Sequence, residues 1–80
     1  MGKRFKFERP LDMINLCKDE EVIVALKNDK QIAGTLLAFD IHLNLVLDNA
    51  RIIFPLGLDE KKGLTFIRGE NIVFISPGDK

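Results

Sequence analysis

The chain has 80 residues with one cysteine and one histidine, which excludes an internal disulfide and leaves too few soft ligands for a zinc site within one chain. Its formal net charge of zero excludes nucleic-acid binding through a general positive field, so such a partner would need a local patch. One small domain of this length buries only roughly 60% of its unfolded surface, and self-association is the most available source of further burial.

The start of the chain is basic. "MGKRFKFER" has no apolar run behind it of the kind found in a signal peptide, and no stretch approaches the roughly 18 apolar residues of a membrane span. We therefore expect a cytoplasmic protein without a membrane partner. Lys3, Arg4 and Lys6 form either a solvated tail or an arm that contacts phosphates. The expected organisation is a basic arm over 1–8, a folded domain over 9–77 and a tail over 78–80.

"PLDMINLC" predicts a short helix. Pro10 suits the first turn, where its missing N–H has no partner, and Asp12 suits the positive end of the helix dipole. Leu11 and Ile14 form an apolar stripe. A helix of about two turns cannot stand alone, so it must pack on another part of the protein, with Cys17 as a small core residue beneath it.

Strands fill the rest of the chain. "EEVIVALK" alternates between two faces, and "QIAGTLLAFD" is a second strand in which Gly34 marks a bulge or a sharp bend. "LNLVLDNA" is a third strand, which "RIIF" can prolong until Pro55 and Gly57 end it. "EKKG" is predicted to be a solvated turn, and "GLTFIR" and "NIVFIS" are the last two strands.

The predicted fold class is all-β with a short N-terminal helix: a small, strongly bent, five-stranded antiparallel barrel. Phe39, Phe66 and Phe74 fall within apolar strand runs, so we expect them in the core. "NIVFIS" has no charge or proline that would stop another strand from pairing with it. A closed homo-oligomeric ring, in which each edge extends its neighbour's sheet, would satisfy such edges.

Polar residues interrupt the apolar pattern in "FDIHLNL". Asp40, His42 and Asn44 alternate, so on a strand they would leave one face while Ile41, Leu43 and Leu45 face the core. A flat imidazole is a stacking surface for a nucleobase, and an amide offers donors and an acceptor that can match the edge of uracil. An amide can flip, and Asp40 is the obvious group to orient Asn44.

A second cluster, "IRGEN", lies between the last two strands. Gly69 is expected to have a positive φ or to allow a close approach. If both clusters meet at one end of the barrel, the guanidinium of Arg68 and the imidazole of His42 could enclose a base. The alternatives are that Arg68 only forms an ion pair with Glu70, and that His42 is a structural histidine.

Catalysis is the weaker class of function. A lone histidine and a lone cysteine are too few for a catalytic pair with an orienting third group. There is no glycine loop for phosphate and no metal-ligand spacing, so we expect no enzyme, metal or cofactor. The main alternative to RNA binding is a ring-forming scaffold for proteins, which would have no reason to keep His42, Asn44 and Arg68 together.

"FDIHLNLVLDNA" and "FIRGENIVFISP" together resemble the two motifs of the Sm and Sm-like (LSm) RNA-binding family, D-x-H-M-N-L-x-L and I-R-G-x-N-V-x-x-I. The resemblance runs from about Arg9 to Pro77. It implies rings closed by pairing the fourth strand of one subunit with the fifth of the next. It also implies uridine-rich single-stranded RNA bound around the pore, one base per subunit. The pattern is similar to archaeal members, which are commonly heptamers.

The resemblance also implies roles for single residues. His42 and Arg68 would stack on the base, Asn44 would read the uracil edge, and Asp40 and Gly69 would support them. The chain departs from the family at Leu43, where methionine is usual, and at Glu70, where aspartate is common. Residues 51–58 are more apolar than is usual in the family. The alternatives for this segment are a strand extension, a contact between rings and an unusual loop.

Overall fold

A short helix opens the part of the chain that the computed structural model describes, residues 7–78. Helix α1 (Pro10–Leu16) begins at the proline. The carboxylate of Asp12 accepts hydrogen bonds from the backbone N–H groups of Glu8 and Arg9, at 3.2 and 3.1 Å. These bonds fix the entry of the chain into the helix. The predicted contacts of Lys3, Arg4 and Lys6, and the tail at 79–80, lie outside the described residues.

Five strands follow, and the order of the sheet is β4-β3-β2-β1-β5 with antiparallel neighbours. Their bounds are β1 (Glu21–Leu26), β2 (Gln31–Phe39), β3 (Leu45–Ile53), β4 (Glu60–Ile67) and β5 (Ile72–Pro77). The predicted fold class, a short helix on a strongly bent five-stranded sheet, is confirmed. Strands β4 and β5 are the two edges of this sheet.

The core lies inside the bend. The largest side chains that are completely enclosed are Val22, Val24, Leu36, Leu45 and Leu47. Helix α1 closes one side of the core through Ile14, and Cys17 is buried just after it, as expected. Burial raises the pKa of the Cys17 thiol, so this cysteine is a small apolar core residue.

Gly34 lies at the bend of β2, where the register between β2 and β3 shifts. A Cβ atom at this position would lie 2.9 Å from the backbone oxygen of Asp48 and 3.1 Å from the Cα of Ala50. The predicted role of this glycine is therefore correct, because β3 crosses too closely for any side chain.

We expect Gly34→Ala to lower the free energy of unfolding by about 1–3 kcal/mol, since the methyl group must push two strands apart. The urea-unfolding midpoint measures this loss. Thr35→Ala is the matched control, because residue 35 already carries a Cβ and should change the midpoint much less. An unchanged midpoint for Gly34→Ala would show that the bend has room to spare.

Two predicted elements are wrong. Residues 40–44 are not part of a strand, since β2 ends at Phe39 and β3 begins at Leu45. Glu60–Gly63 is not a turn but the first half of β4, paired with the end of β3. The reversal lies instead at 54–59, and the charged residues of "EKKG" are tolerated on the strand because it is an exposed edge.

The expectation for the phenylalanines is correct for one of three. Phe39 is partly buried and packs against the core. Phe66 and Phe74 are exposed, because they lie on the outer sides of the edge strands. Their neighbours Ile67 and Ile75 take the inward positions. Exposed aromatic residues on both edges are consistent with a further partner for each edge.

Candidate nucleic-acid interface

The polar cluster of Asp40, His42 and Asn44 lies in the loop between β2 and β3. The Oδ1 atom of Asp40 accepts hydrogen bonds from the backbone N–H groups of His42 (2.8 Å) and Asn44 (3.0 Å). The backbone N–H of Leu43 also donates to the carbonyl oxygen of Asp40, at 2.9 Å. An aspartate that binds nearby backbone N–H groups offers the chain an alternative to a strand ladder. This is why the alternating pattern folds as a loop.

The loop reverses the expected orientation of one apolar residue. Ile41, predicted to face the core, is 76% exposed. Leu43 and Leu45 do face the core, as expected: Leu43 is half-buried and packs against it, and Leu45 is fully buried at the start of β3. Leu43 has a φ of 62°, in the left-handed region that costs a leucine roughly 1–2 kcal/mol. The hydrogen bonds to Asp40 hold the strained turn at Leu43 in place.

The side chain of Asn44 is held at both of its polar atoms. Its Nδ2 donates to Oδ2 of Asp40 at 3.0 Å, and its Oδ1 accepts from the backbone N–H of Gly69 at 2.8 Å. The second bond joins the β2–β3 loop to the turn between β4 and β5. The amide can therefore not flip without losing both bonds, and one N–H and one lone pair remain available.

The second cluster meets the first through Gly69. A Cβ at this glycine would overlap the carbonyl oxygen of His42 and come within 2.9 Å of the carbonyl carbon of Leu43. Among the described glycines, only Gly57 and Gly63 have a positive φ. Of the two reasons expected for a glycine at position 69, the close approach of another backbone is therefore the correct one. The turn, a 3-10 helix over Gly69–Asn71, thus lies directly against the β2–β3 loop.

The two candidate stacking residues flank this contact. Arg68 directly precedes Gly69, and the carbonyl group of His42 lies against Gly69. The side chains of His42 and Arg68 are both exposed. The Nη2 of Arg68 lies 3.4 Å from Oε2 of Glu70, so the ion pair weighed as an alternative is present. Both side chains of that pair are about two-thirds exposed, and such pairs are weak enough to rearrange for a ligand.

An apolar groove lies beside the site, between α1 and the β2–β3 loop. Its apolar lining includes Phe7, Pro10, Leu11, Met13, Ile41 and Leu43. The sequence pattern did not indicate this groove, because Ile41 and Leu43 were assigned to the inner face of a strand. The sequence signal that could have indicated it is Asp40 itself. An aspartate can accept hydrogen bonds from backbone N–H groups a few residues later, and this is typical of a turn.

The hydrogen bond from the Asn44 side chain is the main cause of a lowered pKa at Asp40, and the backbone bonds add to it. Because this pKa is lowered, the ionised carboxylate of Asp40 stabilises the loop at pH values above the ordinary aspartate pKa of about 3.9. This stabilisation is lost as the pH falls through the lowered pKa. We expect the hydrogen bond at the Gly69 amide to weaken only below about pH 4. The amide chemical shift of Gly69, followed by NMR, reports this transition.

Asp12→Asn is the control for this titration. Backbone hydrogen bonds, first that of Arg9, lower the pKa of Asp12 as well, but at the helix. The Gly69 transition should persist in Asp12→Asn and disappear in Asp40→Asn. A transition that survives in Asp40→Asn would assign it to another carboxyl group.

Within 7–78, no group of three His, Cys, Asp or Glu side chains could hold a metal ion. No helix in that part of the chain is long and apolar enough to cross a membrane.

Comparison with known proteins agrees with this fold. Residues 12–77 match the family model described as the LSM domain. A Methanosarcina barkeri protein that carries the name of an snRNP Sm-like protein is 46% identical over 69 residues, which cover 86% of this chain and 96% of the relative.

Solved structures give the same assignment. A heptameric archaeal Sm protein is 37% identical with a TM-score of 0.80, over 85% of this chain and 98% of the other. The Pyrococcus abyssii Sm protein, solved in complex with a uridine heptamer, is 42% identical with a TM-score of 0.83, over 89% and 100%. The chain therefore belongs to the LSM family, with archaeal Sm-like proteins among its relatives.

Proposed function

We propose that this protein forms a closed homo-oligomeric ring, with a heptamer favoured over a hexamer, and binds uridine-rich single-stranded RNA around the central pore. Each subunit binds one base. The observation that carries the proposal is the amide of Asn44, fixed between Asp40 and Gly69 and flanked by the exposed side chains of His42 and Arg68. This is a binding function in RNA processing or metabolism and not a catalytic one. Since the ligand would be cellular RNA, we also propose a cytoplasmic location.

The edge strands support the ring. Strands β4 and β5 each have a neighbour in the sheet on one side only. Leu64 and Phe66 on β4, and Val73 and Phe74 on β5, are exposed in the single chain. Pairing β4 of one subunit with β5 of the next would cover these side chains and satisfy the open backbone groups. Repetition of one such heterologous contact closes a ring.

The fixed amide supports a preference for uracil. Uracil presents an N–H donor beside a carbonyl acceptor, and cytosine presents an acceptor beside an amino donor in the same positions. An amide with a free orientation could match either base. Because Asp40 and Gly69 fix which end of the Asn44 amide is the donor, a base held in one pose can be matched only by one of the two patterns. The uridine heptamer bound to the Pyrococcus abyssii protein favours uracil.

We expect Asn44→Ala to remove selectivity between uracil and cytosine more than it lowers general affinity. A matched pair of hydrogen bonds to a base edge discriminates by about 1–3 kcal/mol, so the parent ring should prefer oligo(U) to oligo(C) by at least roughly tenfold. The variant should bind both within about twofold of each other. Fluorescence anisotropy with labelled oligo(U) and oligo(C) at fixed salt measures both affinities.

His42→Ala provides the comparison. It removes a stacking surface that does not distinguish the two bases, so it should weaken both oligonucleotides by a similar factor. If Asn44→Ala kept the uracil preference of the parent, the amide would not be the reading group. A ring that binds no RNA in any form would favour the protein scaffold instead.

A further inference from the structure

Two carboxylates lie at the proposed base pocket, and only one of them is fully used within the subunit. Both oxygens of Asp40 accept hydrogen bonds, Oδ1 from the backbone N–H groups of His42 and Asn44 and Oδ2 from the Asn44 side chain. In the described part of the chain, the side chain of Glu70 has one polar partner, since its Oε2 lies 3.4 Å from Nη2 of Arg68. The acceptor capacity of the other oxygen of Glu70, Oε1, is therefore available to a ligand.

Glu70 lies at the exposed side of the pocket. It directly follows Gly69, whose N–H donates to the side chain of Asn44 at 2.8 Å. The side chains of Glu70 and Arg68 are 65% and 67% exposed, whereas Asn44 is half-buried. The ribose of a nucleotide is attached on the side of the base that is away from its hydrogen-bonding edge. A base that directs this edge at Asn44 thus places its sugar toward the exposed side, where Glu70 lies.

The ion pair between Arg68 and Glu70 is compatible with stacking. A guanidinium is planar, and Nη2 is one of the atoms at its edge. A carboxylate paired at this edge leaves the faces of the guanidinium available for a base. Glu70 then lies beside the stacked base and not between the base and Arg68.

The chemistry of a carboxylate restricts what Glu70 can bind in a nucleic acid. An ionised carboxylate only accepts hydrogen bonds, and phosphate oxygens are acceptors that carry the same sign of charge. The sugar-phosphate backbone of RNA has one hydrogen-bond donor in each nucleotide, the 2′-hydroxyl group, and the backbone of DNA has none. A carboxylate on the sugar side of the pocket therefore matches ribose and has no partner in deoxyribose.

We propose that Oε1 of Glu70 accepts a hydrogen bond from the 2′-hydroxyl group of the bound nucleotide, and that this contact makes the ring select RNA over DNA. This proposal rests on the proposed base pocket. It adds the sugar as a second group that each pocket reads, beside the base edge that Asn44 reads. Toward DNA, Glu70 contributes only repulsion of the phosphates, so the same residue favours RNA and disfavours DNA.

Oligo(U), oligo(dU) and 2′-fluoro oligo(U) of equal length test the proposal. The 2′-fluoro sugar keeps the conformation that is typical of RNA but has no hydrogen to donate, so it separates the hydroxyl group from the shape of the sugar. Fluorescence anisotropy at fixed salt measures the affinity of the parent ring for each. We expect oligo(U) to bind at least about tenfold more tightly than the other two, because the bond is charge-assisted and recurs in every subunit.

Glu70→Ala should remove this selectivity. We expect at least about tenfold weaker binding of oligo(U), with all three oligonucleotides then within about threefold of one another. Oligo(dU) should not bind more weakly than to the parent, because it loses a repulsion and no hydrogen bond. Glu60→Ala is the matched control, since Glu60 also pairs with a cation two residues later, Lys62 at 2.9 Å, but lies at the other end of β4. It should leave all three affinities unchanged.

The other outcomes separate this proposal from the proposed function. If Glu70 only held Arg68 in place, Glu70→Ala would lower all three affinities by the same factor, and this result would overturn the proposal. Equal binding of the three oligonucleotides by the parent would overturn it as well and leave the base pocket standing. A preference for the hydroxyl group that survives in Glu70→Ala would assign it to another residue. A parent ring that binds none of the three would overturn both the proposed function and this inference.

Discussion

Replacement of His42 or Arg68 by alanine should weaken the binding of oligo(U) by at least about 100-fold while the ring mass stays unchanged. Stacking on a base contributes about 1–3 kcal/mol, and the same pocket recurs in every subunit. Because later bases bind at the high effective concentration set by the first, the loss at each pocket multiplies along the RNA. Even about 1 kcal/mol at each of three bases reaches this factor. Both side chains are exposed in the single chain, so the substitutions remove no core contact.

Arg68→Lys is the sharper variant. It keeps the positive charge but removes the flat guanidinium, so a stacking role predicts a large loss and a purely electrostatic role predicts almost none. Lys30→Ala removes an exposed charge just before the start of β2, at the end of the strand away from the site, and should reduce affinity only slightly. Parent-like binding by both Arg68 variants would remove this residue from the pocket.

Gly69→Ala should damage both the fold and RNA binding. The new methyl group would overlap the backbone oxygen of His42, and a backbone atom cannot move aside as a flexible side chain can. Relief requires the two loops to separate, which breaks the hydrogen bond from Gly69 to Asn44. We expect about 1–3 kcal/mol lower stability from the overpacking. We also expect more than tenfold weaker oligo(U) binding, since about 1.4 kcal/mol of lost binding free energy is a factor of ten.

Gly57→Ala separates these two effects. A Cβ at Gly57 meets no atom within 4 Å, but its φ of 89° makes alanine strained there. This variant should therefore lose roughly 1–2 kcal/mol of stability without any loss of RNA affinity. If Gly69→Ala retained parent-like oligo(U) affinity, the contact between the two loops would not be what organises the pocket.

The elements of the fold follow from local sequence chemistry, which is why most of them could be predicted. Pro10 and Asp12 define the start of the helix, and alternation in β1 and the glycine at the bend of β2 define the first strands. The position of the turn between β3 and β4 was not predictable in this way. "EKKG" has the composition of a turn, yet it pairs with the end of β3 because the sharper reversal lies earlier, at Pro55 and Gly57.

The residues of the candidate site could be named from the sequence, but the backbone conformation of the loop that carries them could not. An alternating run of polar and apolar residues is the usual pattern of a strand, and the chain departs from it only because the carboxylate of Asp40 captures two backbone N–H groups. Asp40 could have indicated a turn, but no residue type indicates a leucine with a positive φ, so this conformation of Leu43 could not be predicted from sequence. The orienting role of Asp40 toward Asn44 could be predicted, because an amide needs a partner to fix its direction.

The exposure of Phe66 and Phe74 reflects a different limit of sequence patterns. Hydrophobicity predicts that a side chain will be covered, but it does not say by which chain. In a small sheet with two open edges, apolar residues on the edge strands can be covered by another subunit as well as by the core. The prediction therefore placed Phe66 and Phe74 inside the subunit, whereas in the proposed ring they would lie between subunits.

The proposed uridine-reading pocket in each subunit of a ring is tested most directly by an anisotropy titration of labelled oligo(U), oligo(C) and oligo(A) at fixed salt. The titration is made on the parent and His42→Ala, with mass by light scattering on the same samples. We expect tight, uracil-selective binding by the parent ring and loss of this binding in the variant, while the ring mass is unchanged. Equal binding of all three oligonucleotides, or an unaffected His42→Ala ring, would contradict it.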